Sequence, residues 1–372
     1  MSNGVPPCVL HVITGLGNGG AEGVLSRLVT ATRDEALQSV VVSLTAGGTH
    51  RDALARSDCA VFDLGMQRGR ANPSALWRLA SLIRQFRPIA IQSWMYHADL
   101  LSTMALSLSG LARRTRLYWG IRCSDMQAEH YSVGFRLVRR SCALLSRAAD
   151  GIVANSYAGR DVHTALGYSS RNFSVIPNGI DVQQFKPDAF LRRKLRAELG
   201  LSDARVVAIT AARVDPMKGF EILGEAARRL PDMDFIVAGA GTDALTFPPN
   251  VRALGHRSDI ADLLPAADVL LSTSLFGEGF SNAIAEGMAA GLCPVVSDVG
   301  DARHIANSPA AVYPAGNVPA LVRSLKALLD EDAQAIRARG LAARERVVQS
   351  FSVERMVHTF DALHLHASVP EA

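Results

Sequence analysis

Val9-Leu10-His11-Val12-Ile13-Thr14-Gly15-Leu16-Gly17-Asn18-Gly19-Gly20-Ala21-Glu22 begins with six mainly apolar residues that read as a buried strand. The glycines after it permit a tight turn, and residues 21–32 carry a helical pattern. Strand, glycine turn and helix in that order make half of a βαβ crossover, the unit from which parallel sheets are wound. The turn itself has two readings. Glycine lets backbone approach a ligand closely, and a helix N-terminus offers N–H groups to an anion. A strand-to-helix turn can equally need glycine on steric grounds alone. The string matches G-x-G-x-x-G weakly, and without Gly-Lys-Ser/Thr it is no P-loop. Glu22 in the first helical turn suits the helix dipole.

The same plan recurs outward along the chain. Apolar runs at residues 39–44, 60–64, 89–94, 115–122, 151–155 and 173–177 are separated by helical patterns such as 73–86, 99–111, 135–148 and 157–166. A second series places strands at 206–211, 234–238, 251–254, 269–273, 293–297 and 310–313. Its helices fall at 219–230, 260–266, 281–290, 318–329, 331–349 and 353–364. The expected architecture is α/β, with two doubly wound Rossmann-like domains facing each other across a cleft. A chain of 372 residues also exceeds what one core normally serves. The boundary is expected near Asp181–Asp203, where Asn178-Gly179 turns the chain and the charged run Arg192, Arg193, Lys194 and Arg196 follows. The domains are therefore set at 1–185 and 186–350. Residues 351–372 hold a last helix, a candidate to cross back onto the first domain, and a tail.

Composition narrows the class. The chain is 48% hydrophobic and 20% charged, ordinary values for a folded soluble protein. No clean apolar stretch of 18 residues is present, so no spanning helix is expected. The N-terminal residues lack a signal-peptide pattern, and Cys8, Cys59, Cys123, Cys142 and Cys293 are scattered without CxxC. A reducing cytoplasm with mostly buried thiols fits. Charge divides unevenly: residues 1–186 hold 20 Lys/Arg against 12 Asp/Glu, and residues 187–372 hold 19 against 23. A basic first half suggests an acidic partner, either a phosphorylated acceptor or an anionic membrane surface, unless it is only a solvated face. Arg113, Arg114 and Arg116, with Arg136, Arg139 and Arg140 on the next helical stretch, are the residues that would meet a bilayer. No zinc-finger spacing, RNP motif or basic zipper appears, so no nucleic-acid partner is expected. Two D-x-D strings, at Asp232/Asp234 and Asp330/Asp332, fall away from strand C-termini and read as surface charge. The histidines show no compact ligand spacing beyond a weak cue at His364 and His366, so no metal is expected.

The chemistry concentrates in the second half. Arg213 ends its first strand, and Lys218 follows in Val214-Asp215-Pro216-Met217-Lys218-Gly219. An arginine fork and a mobile ammonium at one strand end can hold a diphosphate and neutralise it as it departs. Gly277-Glu278-Gly279-Phe280-Ser281-Asn282-Ala283-Ile284-Ala285-Glu286-Gly287 then sets two carboxylates around a helix start, with free N–H groups between them. Glu286 can accept both hydroxyls of a ribose, and Glu278 can bind sugar hydroxyls or steady a positive sugar-like transition state. A solvated glutamate and a helix-start contact are the plainer readings. Nothing indicates two carboxylates facing one glycosidic bond in the manner of a hydrolase.

With these motifs the chain resembles the large retaining glycosyltransferase family 4, of the GT-B fold, and in particular enzymes of bacterial polysaccharide assembly. The resemblance rests on Gly17-Asn18-Gly19-Gly20-Ala21-Glu22, on Pro177-Asn178-Gly179-Ile180-Asp181 with Phe185, on Arg213 with Lys218-Gly219, and on Glu278 and Glu286 spaced as E-x7-E. It implies a nucleoside-diphosphate sugar as donor substrate, a UDP- or GDP-sugar, with no separate cofactor. It implies Arg213 and Lys218 on the donor phosphates, Glu286 on the ribose and Glu278 on the donor sugar. It implies backbone contacts from Gly279, Phe280 and Ser281, and from Gly19 and Gly20 in the first glycine loop. Relatives often place a histidine after the fifth strand of the first domain. Here Arg122 stands there, while His97 follows the fourth strand, and both are assigned to the acceptor side. The implied reaction moves the sugar to a glycan or lipid-linked acceptor hydroxyl with retention, through a same-face route. The protein would supply orientation, charge stabilisation and water exclusion, and would work in the cytoplasm or peripherally on the inner face of the cell membrane. A nucleotide-sugar epimerase or hydrolase of related fold, or a non-catalytic nucleotide-sugar binding protein, is the alternative.

Overall fold

The computed structural model describes residues 6–17, 19–32, 37–57, 59–67, 72–124 and 133–365; Asn18, Asp125 and His366 lie outside them. The described residues divide into two compact units, one within Met1–Gly179 and Val353–Ala372, the other Ile180–Ser352.

The first unit contains β1 (Cys8–Ile13), α1 (Gly20–Ala31), β2 (Gln38–Ser43), α2 (Arg51–Ala55), β3 (Ala60–Asp63), α3 (Pro73–Phe86), β4 (Ala90–Trp94), α4 (Tyr96–Ser109), β5 (Arg116–Ile121), α5 (Val133–Leu145), β6 (Gly151–Ala154), α6 (Tyr157–Ala165) and β7 (Phe173–Val175). Its strands pair in parallel in the order β3-β2-β1-β4-β5-β6-β7. Alternate residues of β1 serve opposite cores. Leu10 and Val12 pack with Val40, Val42 and Ile91, while Val9 and Ile13 pack with Val41 and the α1 residues Val24 and Leu25. A parallel sheet covered on both faces follows from strands that are apolar throughout.

The second unit contains α7 (Ala189–Glu198), β8 (Val207–Ala211), α8 (Phe220–Arg229), β9 (Asp234–Ala238), β10 (Val251–Ala253), α9 (Ile260–Leu263), β11 (Val269–Ser272), α10 (Asn282–Ala289), β12 (Cys293–Ser297), α11 (Ala302–Ala306), β13 (Val312–Tyr313), α12 (Val318–Leu329) and α13 (Ala333–Ser350). The strand order is β10-β9-β8-β11-β12-β13, again parallel throughout. The last helix, α14 (Val353–Leu365), belongs to the first unit, where it packs on α1 and adds Met356 and Phe360 to the core. His364 on α14 lies against His11 of β1, ring centroids 6.0 Å apart, both buried. Burial pushes the His11 imidazole well down and that of His364 to about 3, so both are neutral core residues.

In each sheet the order reverses once, between β1 and β4 and between β8 and β11. Loops leaving the C-terminal ends of those strands diverge there, which is where doubly wound sheets receive ligands.

The structure corrects the sequence reading in two places. The charged run at residues 192–196 is α7, a helix of the second unit. Asp188 caps it, accepting from Phe190 N at 2.8 Å and Leu191 N at 2.9 Å. Its Arg196 side chain is 2% exposed and bonds Asp268 at 2.6 Å, with Arg192 on the other carboxylate oxygen, also at 2.6 Å. Asp234, read as surface charge, is buried at the start of β9 and pairs with Arg205 and Arg252.

Asp268 also accepts Val207 N at 2.9 Å, so one carboxylate joins α7 to the first strand of its sheet. Replacing it leaves the buried Arg196 guanidinium with only the exposed Asp203 carboxylate, 3.6 Å away, a loss of about 3 kcal/mol. Asp268→Ala is therefore expected to move the urea midpoint of the second unit strongly downward. A midpoint within a few tenths of a molar of the parent would remove the pair from the core account.

Candidate functional site

At the switch point of the second sheet, the loops after β8 and β11 are fastened to each other by backbone. After β8 the chain runs through Arg213 to Asp215, which caps a single 3₁₀ turn, Pro216–Lys218, by accepting Met217 N at 3.1 Å. Leu275 N donates to Met217 O at 2.7 Å, and Thr273 Oγ1 donates to Lys218 O at 2.8 Å. Gly219 closes the turn at φ 60°, and a Cβ there would stand 2.3 Å from Thr273 O. Only glycine permits both the left-handed conformation and that approach.

The loop after β11 is braced from its other side. Gly277 takes φ 77°, and Gly300, at φ 59° beyond β12, lies so close that a Cβ would be 2.3 Å from Glu278 O. Asp301 N donates to Gly279 O at 3.1 Å. Within this frame the Lys218 ammonium pairs with Glu278 Oε1, which also accepts Ser274 Oγ at 2.8 Å. Both ion-pair side chains are mostly shielded from water. Ser281 precedes α10 as its N-cap residue without a side-chain capping bond, and Glu286 lies in the second turn. Phe280 turns its ring into the core against Phe351, leaving its backbone as the group available to a ligand. Gly287 lets α10 sit tightly on β11, since a Cβ would be 2.5 Å from a Leu270 methyl.

Of the residues named from sequence, the structure thus brings Lys218 and Glu278 into contact, with Gly279, Phe280 and Ser281 following on the same loop. Arg213 is not part of that contact. It is largely exposed and pairs with Asp215 at 3.0 Å. Ser274, Thr273 and Gly300 were not singled out by the sequence reading. Their roles depend on contacts across 4 to 55 residues of chain, and only the glycine after a strand was a usable signal.

In the first unit, Gly19 caps α1 without a side-chain bond, and the Glu22 carboxylate folds against it; Gly20 is exposed. His97 is exposed in the first turn of α4. Arg122, just beyond β5, is half-buried with its guanidinium 4.2 Å from the Trp94 ring centroid and 5.5 Å from that of Phe360. It donates to Asn178 Oδ1 at 3.4 Å, while its Nε and Nη2 make no hydrogen bond. Burial pulls the group down to about 9, opposed by the nearby Asp99, so it stays charged at neutral pH. Asp99 accepts from Ser93 Oγ at 2.6 Å and Gly120 N at 3.3 Å, and burial raises it to about 7. Met95, between β4 and α4, takes φ 77° and ψ 157°, a region that glycine alone enters readily. Among the described residues no group of three or more His, Cys, Asp or Glu is placed to hold a metal ion.

Two family profiles match the chain, "Glycosyltransferase Family 4" over residues 18–184 and "Glycosyl transferases group 1" over residues 205–331. The chain belongs to the GT-B-fold glycosyltransferases related to family 4. It is 26% identical over 212 residues to the Escherichia coli UDP-Gal:alpha-D-GlcNAc-diphosphoundecaprenol alpha-1,3-galactosyltransferase, covering 52% of this chain and 54% of that protein. It is 32% identical over 170 residues to the D-inositol 3-phosphate glycosyltransferase of Mycobacterium tuberculosis (strain ATCC 25177 / H37Ra), covering 41% and 35%. The chain thus spans about half the length, or less, of these two relatives. Among solved structures, Anabaena HepE in complex with UDP superposes with a TM-score of 0.81 at 22% identity, covering 97% of this chain and 100% of that one. The same protein with UDP-glucose gives 0.79. These superpositions establish the two-domain GT-B fold.

The brace at Gly300 is the part of this candidate site most open to a single-atom test. Gly300→Ala meets both a positive φ and Glu278 O, and is expected to cost about 1–3 kcal/mol. Amide exchange at Asp301 should quicken as its bond to Gly279 O loosens. An unchanged melting temperature together with unchanged exchange would show that the loop is not held this way.

Proposed function

We propose that the protein transfers a sugar from a nucleoside-diphosphate donor, a UDP- or GDP-sugar, to an acceptor hydroxyl with retention of configuration, in the synthesis of a cell-surface polysaccharide or lipid-linked glycan. The observation that carries this reading is the Lys218–Glu278 contact at the β8/β11 switch point, next to the uncapped start of α10. Lys218, with Arg213, would meet the donor diphosphate; the Arg213 side chain is exposed and can reorient toward it. Backbone N–H groups near Gly279, Phe280 and Ser281 would add partial positive charge. Glu278 would take sugar hydroxyls, and Glu286 the ribose. The HepE structures with UDP and with UDP-glucose support a nucleotide sugar as the ligand class.

In the reaction the bond between the anomeric carbon and the phosphate oxygen breaks, and a bond to the acceptor oxygen forms on the same face. The acceptor proton passes to the departing phosphate oxygen. The cations act where negative charge grows, so they lower the barrier more than they tighten ground-state binding. Gly19 and Gly20 would approach the donor or acceptor through backbone, and Arg122 and His97 would serve the acceptor, with the two unbonded nitrogens of Arg122 suited to an anionic group.

The acceptor reading extends to a membrane surface. On α5, Arg136, Leu137, Arg140 and Leu144 share one exposed face, with Leu137 at 65% and Leu144 at 80% exposure. Leucines interleaved with arginines are what an interfacial helix presents to anionic lipid. Arg116, grouped with them from sequence, is paired with Asp150 and contributes less. Among the described residues no helix is long and apolar enough to cross a membrane.

Calorimetry with UDP- and GDP-sugars should show Glu286→Ala weakening donor binding about tenfold or more, as expected when a charged hydrogen-bond acceptor is lost. Lys218→Ala should mainly lower kcat. Parent-like affinity and rate in both variants would defeat the assignment, and donor turnover independent of any acceptor, followed by NMR, would favour the epimerase or hydrolase alternative. For the membrane reading, Leu144→Glu and Arg140→Glu are each expected to reduce pelleting with phosphatidylglycerol vesicles while leaving thermal stability unchanged. Equal pelleting with neutral and anionic vesicles would overturn it.

A further inference from the structure

The ion pair between Lys218 and Glu278 joins the group assigned to the donor phosphates and the group assigned to the donor sugar. We infer that Glu278 is an internal competitor of the nucleotide diphosphate for Lys218, so that loss of the sugar returns the lysine to the glutamate and helps expel the spent nucleotide. This rests on the donor-site reading given above.

The backbone makes such an exchange feasible. Lys218 cannot withdraw by loop movement, because Met217 O and Lys218 O are both bonded to the β11 loop. Glu278 is held likewise, because Gly300 packs against its carbonyl and Asp301 N bonds the following carbonyl, Gly279 O. Only side-chain torsions remain free to change partners. The lysine has three donors on four rotatable bonds, and the glutamate holds a second partner in Ser274.

Two bound states then differ in charge balance. With an intact donor, sugar hydroxyls satisfy the Glu278 carboxylate, and the ammonium is released to the diphosphate. With the nucleoside diphosphate alone, no sugar hydroxyls compensate Glu278, which keeps only the Ser274 hydroxyl. Its negative charge then both repels the phosphates and reclaims Lys218. The carboxylate therefore discriminates in favour of sugar-bearing nucleotide and against product. A group whose only task was to bind sugar would have no reason to touch the phosphate-binding cation.

The test is a calorimetric cycle with UDP and with GDP on four proteins: the parent, Glu278→Gln, Lys218→Ala and the double variant. Glu278→Gln is expected to bind the better of the two nucleotides about tenfold more tightly than the parent, the scale of one partly buried charge contact. That gain should largely vanish in the Lys218→Ala background. Its product-inhibition constant should fall in parallel, and its preference for the sugar nucleotide over the free nucleotide should shrink. Glu278→Asp, which keeps the charge, should show no gain and controls for misfolding of the amide variant. If the parent binds neither nucleotide, the donor-site reading fails and this inference falls with it. If the parent binds but Glu278→Gln binds no more tightly, only the competition is overturned. A gain of equal size with and without Lys218 would also overturn it, since simple repulsion would then suffice.

Discussion

Two close backbone approaches govern the second unit's site. Gly219 lies against the carbonyl of Thr273, and Gly300 lies against the carbonyl of Glu278. They lock three loops, after β8, β11 and β12, into one layer over the strand ends. Polar backbone that would otherwise need water is satisfied between the loops, as in the bonds from Leu275 N to Met217 O and from Asp301 N to Gly279 O. The consequence is electrostatic. With the peptide groups fixed, a lysine and a glutamate 60 residues apart in sequence are held within contact, and their charges can be redistributed without rebuilding the loop.

The two sheets share a winding but not a chemistry. Both reverse order once, and both place glycine-bearing or strained turns at the reversal. In the second unit the reversal carries a cation paired with a carboxylate. In the first, the neighbouring β4 and β5 ends carry a cation laid on aromatic rings, Arg122 over Trp94, with Met95 in a conformation that side chains avoid. A guanidinium on an indole face keeps its charge without a directly bonded carboxylate, and two of its buried nitrogens make no hydrogen bond. An ion pair, by contrast, presents little net charge until a ligand divides it. Uneven composition along the chain, basic before residue 187 and acidic after it, thus has a local counterpart in how each unit treats its site cation.

Much of the fold was legible because burial on both faces leaves a direct trace in parallel strands. Val9, Leu10, Val12 and Ile13 must all be apolar when two helical layers cover β1, and the same holds for Val207, Ala208 and Ile209 in β8. The loop motifs were legible for a related reason, since glycine is retained where backbone meets backbone. What was not legible depended on pairing at a distance. Residues 192–196 were read only as a charged run near the boundary, yet they are helical and Arg196 is paired with Asp268, 72 residues away. Asp234 was misjudged for the same reason, its partners Arg205 and Arg252 lying on other segments. The five-residue helices α2 and α11 are too short to show a 3.6-residue period.

That distinction bears on how the site itself should be understood. Glu278 and Glu286 were recognised as a pair by their spacing, which suggests a joint task. The geometry separates them: Glu286 projects from a regular helical turn, whereas Glu278 sits on a loop clamped by Gly300 and is engaged by Lys218 and Ser274. A helical carboxylate needs only the helix for its position. A loop carboxylate facing an ammonium needs a brace strong enough to hold its peptide while its charge changes partner. The glycines at 219, 277 and 300 supply that brace, each at a positive φ that most side chains would resist. The conformational strain other residues would suffer there is the physical reason these three positions, as much as the charged pair, define the site.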